Sequence, residues 1–497
     1  QASVTKIANN LEDCIDRNGN TIIDTSSDVN GDGIITTDCN DDNLPDDITT
    51  TCTPGKDLEF YGLDDECILF TVNLGPPSGG TGRPLALGPD PNRPTGPSDA
   101  WAGMYNTGEF FRIDGVSGLV EDHVQVQPQS GVNCNPYGAA VDFYGILWAP
   151  NVNTPYLFYF DTNDTNQQGM VTSTIGGGFY GIAIDGYSET IPDDELLIQQ
   201  VWLGDYSGGQ GAGAYRYRPV RDQGFWGLGQ GTWAKAVFDK DPNTSGLEIR
   251  QGRGLGADNR SPTSFVWLAL DGLAAGGEGH VARIPIDIPD ATTSTFGPGD
   301  MFASTQQGMT GAGVAADLDV WGVNQSSSSV VHYGVDAAGN VTSGPDVIPL
   351  DDKPNSPEGF CPAGTSCKPH PYTYSDFTGF GLRNFTNPQG YYAWVETGNC
   401  PDGQTLYLKV EWDAETPPDT SITMMARSSD NLAALQTAIW TDKYLTSPAD
   451  LLIPPGPLTP NPTNHIEVLF ELTTQTDESP KLKSFNIVYQ CSSSIPS

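Results

Sequence analysis

Between residues 16 and 47, oxygen-bearing side chains recur at every second position. Asp16, Asn18, Asn20 and Asp24 are followed by Asp28, Asn30, Asp32 and Asp38, then by Asp41, Asn43, Asp46 and Asp47. Gly19, Gly31 and Gly33 stand where such a chain must fold back on itself. This spacing turns successive carboxylates and amides toward one centre, and a hard divalent cation takes about six to eight oxygens. The chemistry read here is calcium coordination. One ion is assigned Asp16, Asn18, Asn20, the carbonyl of Ile22, and Asp24. A second is assigned Asp28, Asn30, Asp32, the carbonyl of Ile34, and Asp38, with Asp28 open to sharing. Asp41, Asn43, Asp46 and Asp47 form a third group. The competing reading is a disordered acidic leader. Regular spacing and the nearby Cys14, Cys39, Cys52 and Cys67 favour the metal.

The first loop has Thr21 where Gly is expected, and neither of the first two loops has Glu at its twelfth position. The segment therefore resembles the calcium-wrapped repeats of thrombospondin type 3, or a dockerin half, more than a full EF-hand.

Charge narrows the partners. Against 62 Asp and Glu there are 23 Lys and Arg, a net charge of -39. That field repels phosphate backbones and anionic lipid, so nucleic acid and membrane surfaces are poor partners, and no nucleic-acid partner is expected. No run of about 18 apolar residues is present, and no membrane span is expected. The chain starts at Gln1 without Met, which is read as a mature exported form. None of the nine cysteines forms a C-x-x-C unit, so disulfides in an extracellular setting are expected. Cys361 and Cys367 would close a small loop, Cys400 and Cys491 would clasp the last hundred residues, and Cys134 is left over.

The elements that must carry these features are short strands. Gly at 58, Pro at 39 and 10% aromatics describe many turns between them. The one short helical candidate is Asn431–Gln436. Six segments repeat one plan: a short strand of small residues ending near Asp or Gly, then a strand that usually carries Trp. They start at Arg83, Pro136, Tyr180, Arg253, Ala312 and Pro371. The Trp residues are Trp101, Trp148, Trp202, Trp267, Trp321 and, for the sixth, Trp394. A third strand ends in Asp at Asp114, Asp161, Asp287 and Asp336. Small residues suit an innermost strand where sheets converge, and a Trp fills the widening wedge between them. This predicts a β-propeller of six blades. The long third unit leaves room for a seventh, and the strand Cys67–Leu74 is expected to complete the last blade. The repeated Asp142, Asp185, Asp258, Asp317 and Asp376 are read as turn holders rather than a ring of ligands, with some left open to metal on the axis.

The phrases Asp65–Phe70, Asn135–Gly138 and Tyr372–Gly379 resemble exported propeller proteins of myxobacteria and relatives. More distantly, the repeats resemble the streptogramin (virginiamycin B) lyase type of propeller. The resemblance covers roughly residues 60 to 385 and implies fold more than chemistry. Those lyases use His and Glu around a divalent metal at the propeller mouth, and the local echo here is Glu278 and His280.

From about Gly390 the texture becomes period-two. Leu406, Leu408, Val410 and Trp412 alternate with polar residues, as do Ile422, Met424 and Ala426, then Ile466, Val468, Phe470 and Leu472, then Phe485, Ile487 and Tyr489. A jelly-roll-like β-sandwich clasped by Cys400 and Cys491 is expected. The whole reading is all-β: a calcium-binding segment over 1–56, a propeller over 57–388 and a sandwich over 389–497. It describes a secreted surface protein for binding or assembly, with a protein or glycan partner or copies of itself in a layer or filament. The alternative is a metal-dependent lyase or hydrolase.

Overall fold

Small residues begin each repeat because neighbouring strands approach too closely for larger ones. In this computed structural model, a Cβ on Gly256 would lie 3.0 Å from the Cα of Gly313, in the next repeat. One on Gly252 would lie 2.0 Å from the carbonyl oxygen of Gly213. The structure describes residues 2–8, 11–31, 35–36, 38–42, 46–75, 80–88, 98–142, 144–185, 199–207, 213–221, 223–238, 251–258, 264–272, 278–315, 317–336, 338–350, 371–373, 389–398, 400, 404–417, 420–435, 438–453, 457–474 and 480–491. The chain divides into two compact units, residues 1–88 with 98–385, and 89–97 with 386–497.

The first unit is a β-propeller. Among the described residues it holds one two-stranded sheet and five larger ones, each built on a four-stranded antiparallel meander in chain order. The first runs Gly82–Gly88, Asp99–Met104, Glu109–Ile113, Val120–Gln125. The second runs Ala140–Val141, Ile146–Pro150, Tyr156–Asp161, Gln168–Thr172. The third runs Phe179–Ile184, Val201–Asp205, Gly213–Arg218, Thr232–Phe238. The fourth is Gln251–Asp258, Phe265–Asp271, Glu278–Pro285, Met301–Gln307, and the fifth is Met309–Val314, Val320–Asn324, Ser329–Val335, Val341–Pro349. The long third unit is accounted for by one sheet over its described residues. A detour from the fourth sheet, Thr293–Phe296, adds a parallel fifth strand to it beside Thr232–Phe238.

Each Trp plugs the wedge between its own sheet and the next. Trp101, Trp148, Trp202 and Trp267 have no exposed surface. Trp202 packs with Leu255, Ala257 and Leu268 of the following sheet, and Trp267 with Met309, Ala312 and Val314. Burying side chains of this size contributes several kcal/mol each. Trp321 has the equivalent register, opposite Gly313 and His332, and is half-buried.

The Asp residues that end the inner strands accept the indole N–H of those same Trp side chains. Trp148 donates to Asp142 at 2.8 Å, Trp267 to Asp258 at 3.1 Å, and Trp202 to Asp185. All three carboxylates are buried, so they hold the blade together rather than face a ligand. Asp317 is exposed and accepts the Asp319 amide N–H, while Asp376 lies outside the described residues. The third-strand Asp residues hold turns: Asp114 accepts from Val116 and Ser117, Asp161 from Asn163, and Asp336 from Ala338 and Asn340.

The strand expected to complete the last blade, Ile68–Asn73, pairs antiparallel with Ser3–Ile7. Of the sixth repeat, Pro371–Thr373 is described and 374–388 is not. Trp394 does not belong to that repeat. It sits in Gln389–Thr397, opposite Val468, in the second unit.

Among its described residues, that second unit has two three-stranded sheets around one core. One orders Gln389–Thr397, His465–Thr474 and Thr420–Ser429, the other Ala449–Asp450, Thr405–Glu415 and Lys481–Cys491. The expected alternation through Leu406 and Leu408 fails for a local reason. The register shifts between Tyr407 and Lys409, so Tyr407 and Val410 are buried and Leu406 and Leu408 are only partly covered. The short helix is one turn, Leu432–Leu435. The Cys400–Cys491 clasp is present, and Cys134 is free and buried. Cys361 and Cys367 lie outside the described residues.

Candidate metal centre

The acidic segment is a set of loops stitched to the chain that leads into the propeller. In the first loop, Asp16 accepts the backbone N–H groups of Gly19 (2.7 Å), Asn20 (3.2 Å) and Thr21 (2.8 Å). Asn18 and Asn20 converge on Asp24, their amide groups 2.7 and 2.9 Å from one carboxylate oxygen. Four of the five residues expected for this ion are thus drawn around one short turn. Ile22 lies within it, its side chain exposed. Gly19 has φ 72° and Thr21 φ 69°. Thr21 therefore adopts the left-handed backbone that the missing Gly would supply.

In the second loop, Asp28 accepts the Gly31 N–H at 2.7 Å, and Gly31 has φ 73°. Asp28 and Asn30 sit as in the first loop, whereas Asp32 and Ile34 lie outside the described residues. Farther on, Asp38 is buried and accepts the Asp42 N–H at 3.0 Å. Asp41 has φ 63° and pairs with Lys56 at 2.6 Å. Asp46 is buried and accepts the Cys39 N–H at 2.7 Å, and Asn43 lies outside the described residues. Burial, and after it the charges of Asp38, Asp42 and Asp47, push the Asp46 carboxyl up.

Two glutamates not singled out in the sequence organise the first two loops. Buried Glu66 accepts the N–H groups of Arg17 (2.7 Å), Asn18 (3.2 Å) and Asp24 (3.0 Å). Buried Glu59 accepts those of Val29 (3.0 Å), Asn30 (3.1 Å) and Thr36 (2.8 Å). These are the same three loop positions, twelve residues apart. Burial raises the Glu59 carboxyl, but the hydrogen bonds from Thr36, Asn30 and Val29 outweigh it and hold it below its ordinary value. Arg17 also caps the segment before Ile68–Asn73, donating to the carbonyls of Asp65 and Ile68 at 2.5 and 2.7 Å. Disulfides Cys14–Cys67 and Cys39–Cys52 close the stitching. The sequence signal for Glu66 was its neighbour Cys67. Pairing Cys67 with Cys14 brings that glutamate to the first loop.

Glu278 and His280 both lie on Glu278–Pro285 of the fourth sheet. Glu278 accepts the backbone N–H of Thr305 at 2.6 Å, bracing an irregular edge of the fourth sheet, and His280 is buried in that sheet. Burial pushes the Cys134 thiol up, away from reactivity. Among the described residues, Asp99, Asp114 and Glu121 of the first sheet place carboxylate oxygens within 4.8 Å of one another. Arg112 already lies 3.6 Å from Asp99 and 3.3 Å from Glu121, balancing part of that charge.

No protein-family model and no curated protein matches this sequence. Solved structures similar to it include a propeller. The Dos1 propeller is 9% identical with a TM-score of 0.35, over 53% of this chain and 56% of that one, just over half its length. The PQQ-bound aldose sugar dehydrogenase of Streptomyces coelicolor is 14% identical with a TM-score of 0.34, over 55% of this chain and 82% of that one. Virginiamycin B lyase of Staphylococcus aureus is 11% identical with a TM-score of 0.28, over 56% and 87%. None of these similarities assigns the chain to a family, the exported propellers of myxobacteria included.

Proposed function

We propose that this chain is a secreted, calcium-stabilised protein whose propeller is a rigid hub for binding or assembly at the cell surface. The observation that carries the calcium reading is the repeated loop. In two successive loops an Asp caps a left-handed Gly, and a buried glutamate clamps the same three backbone N–H groups. A net charge of -39 supports it, because bound divalent ions relieve crowding of like charges. The three disulfides among the described residues suit an oxidising compartment, and no helix among the described residues is long and apolar enough to cross a membrane.

The assembly half of the reading is a structural subunit of an extracellular layer or filament, or a receptor for a surface protein or glycan. Electron microscopy of the purified chain, with calcium and with EGTA, tests it. Ordered polymers that fall apart in EGTA are expected for self-assembly. Monodisperse single particles in both conditions, together with no retention on cell-surface glycan or protein, would remove it.

A further inference from the structure

The third acidic loop has a frame different from the one its spacing first suggests. Asp16, Asn18, Asn20 and Asp24 stand at positions one, three, five and nine of the first loop. Counting from Asp38, the same positions are Asp38, Asn40, Asp42 and Asp46. The backbone follows this frame. The fourth position is left-handed in all three loops, at Gly19 (φ 72°), Gly31 (φ 73°) and Asp41 (φ 63°). The leading carboxylate of the third loop accepts an N–H from its own turn, Asp38 from Asp42, as Asp16 does from Asn20. In this frame Asp38 heads the third loop rather than ending the second. Asp41 occupies the left-handed corner and reaches Lys56 instead of the centre.

Asp46 supplies the independent sign of a ligand. Its residue is 3% exposed. One carboxylate oxygen accepts the Cys39 N–H. The other, Oδ1, is buried and has no hydrogen-bond partner. Asp38, Asp42 and Asp47, all of its own sign, act on that carboxylate. A buried carboxylate oxygen left without a donor is costly. A hard cation bound by oxygen satisfies it. We infer that Asp38, Asn40, Asp42 and Asp46 hold a divalent cation of the calcium type, in a loop pinned at its base by the Cys39–Cys52 disulfide. This rests on the calcium reading above, extends it to a third ion, and replaces Asp41 and Asn43 as ligands.

The test is calcium titration of the full oxidised chain by calorimetry, with calcium alone as the probe, on wild type and Asp46→Asn. Asparagine keeps an acceptor for the Cys39 N–H and removes the charge. Asp46→Asn is expected to bind one ion fewer than wild type, or to bind one of them at least tenfold more weakly. Ions bound by wild type with unchanged number and affinity in Asp46→Asn overturn the third site and leave the other loops standing. No binding by wild type overturns the calcium reading as a whole. If Asp46→Asn does not fold, Asp42→Asn takes its place: it lies in an exposed turn, and loss of one ion supports the site while an unchanged titration overturns it.

Discussion

The hydroxyl of Tyr372 lies 3.2 Å from that of Tyr137, across 235 residues of chain. It also meets the hydroxyl of Tyr180. Tyr137 precedes the strand Ala140–Val141 of the second repeat, Tyr180 lies in Phe179–Ile184 of the third, and Tyr372 belongs to the sixth segment. Arg83 lies over the Tyr137 ring at 4.7 Å and Arg253 over the Tyr180 ring at 5.4 Å, adding two more repeats to the same point. Described residues from five repeats meet at one place only if the repeats close on an axis. The sixth segment is thereby fastened to the second and third.

Removing that fastening is expected to loosen the ring without dissolving its blades. Tyr372→Phe loses hydroxyl contacts and is predicted to cost about 1 kcal/mol of stability. Tyr372→Ala also loses ring packing and is predicted to cost about 2–3 kcal/mol. Chemical denaturation checks both. Equal stability of Tyr372→Ala and wild type would show that the contact does not close the ring.

The Asp–Trp link makes a prediction with a pH sign. Burial pushes Asp185 up to about 6 from 3.8, even though Trp202 and Gln200 donate to it. A carboxyl raised on folding contributes most stability below its unfolded value, and that contribution falls as pH rises through about 6. Trp202→Phe deletes the indole donor. It is therefore predicted to cost about 2–3 kcal/mol at neutral pH and less near pH 5, where Asp185 is protonated. Denaturation midpoints at the two pH values measure the difference, and a loss independent of pH contradicts the link.

His332 has the opposite sign. It donates to Asp319 at 2.9 Å, lies 3.4 Å from Asp346 and packs 4.6 Å from Trp321. Burial lowers it, but the two carboxylates outweigh burial and hold it above its ordinary 6.5. Its contribution is complete below pH 6.5 and is lost as pH rises through the higher folded value. His332→Gln is expected to lose up to about 1 kcal/mol below that range and to match wild type well above it. An NMR titration of His332 and melting curves across the interval test this together.

Breaking the clasp should act on the second unit. Cys400 and Cys491 close a loop spanning 91 residues. Their replacement by Ser is predicted to cost about 2–5 kcal/mol. If the Phe470 and Phe485 environment, followed by near-ultraviolet circular dichroism, melts at the same temperature with and without the bond, the clasp is not what stabilises that core.

Much of the propeller was legible because it repeats. Gly-rich inner strands, Trp on the second strand and Asp at the turns follow from one geometric need, so each copy supports the others. The Asp–Trp bond is not legible, because the partners stand at different separations in the chain: 6, 17 and 9 residues for Asp142–Trp148, Asp185–Trp202 and Asp258–Trp267. Trp394 was misplaced because its pairing with Val468 is decided 74 residues away. A single bulge beyond Tyr407 exchanged the buried and exposed faces of one strand. Oxygen ligands at alternating positions stood out in the loops. Their clamps did not: Glu59 and Glu66 lie 23 to 49 residues from the amides they hold.

The clamps carry their own prediction. Glu66→Gln removes the charged acceptor for Arg17, Asn18 and Asp24 and should weaken one calcium site roughly 10- to 100-fold, while Glu59→Gln should weaken a different one. Competition titration with a chelating dye on the two variants and the double variant resolves this. Identical isotherms for all three and wild type would mean that the glutamates only support the fold.

The most direct measurement is the melting temperature of the full chain in millimolar calcium and after exchange into EGTA, with magnesium at the same concentration as control. An ion held at about a hundred times its dissociation constant stabilises by about 2.7 kcal/mol. The calcium form is therefore predicted to melt several degrees higher than the EGTA form, with magnesium restoring little of the difference. Superimposable melting curves in calcium and EGTA would contradict the account.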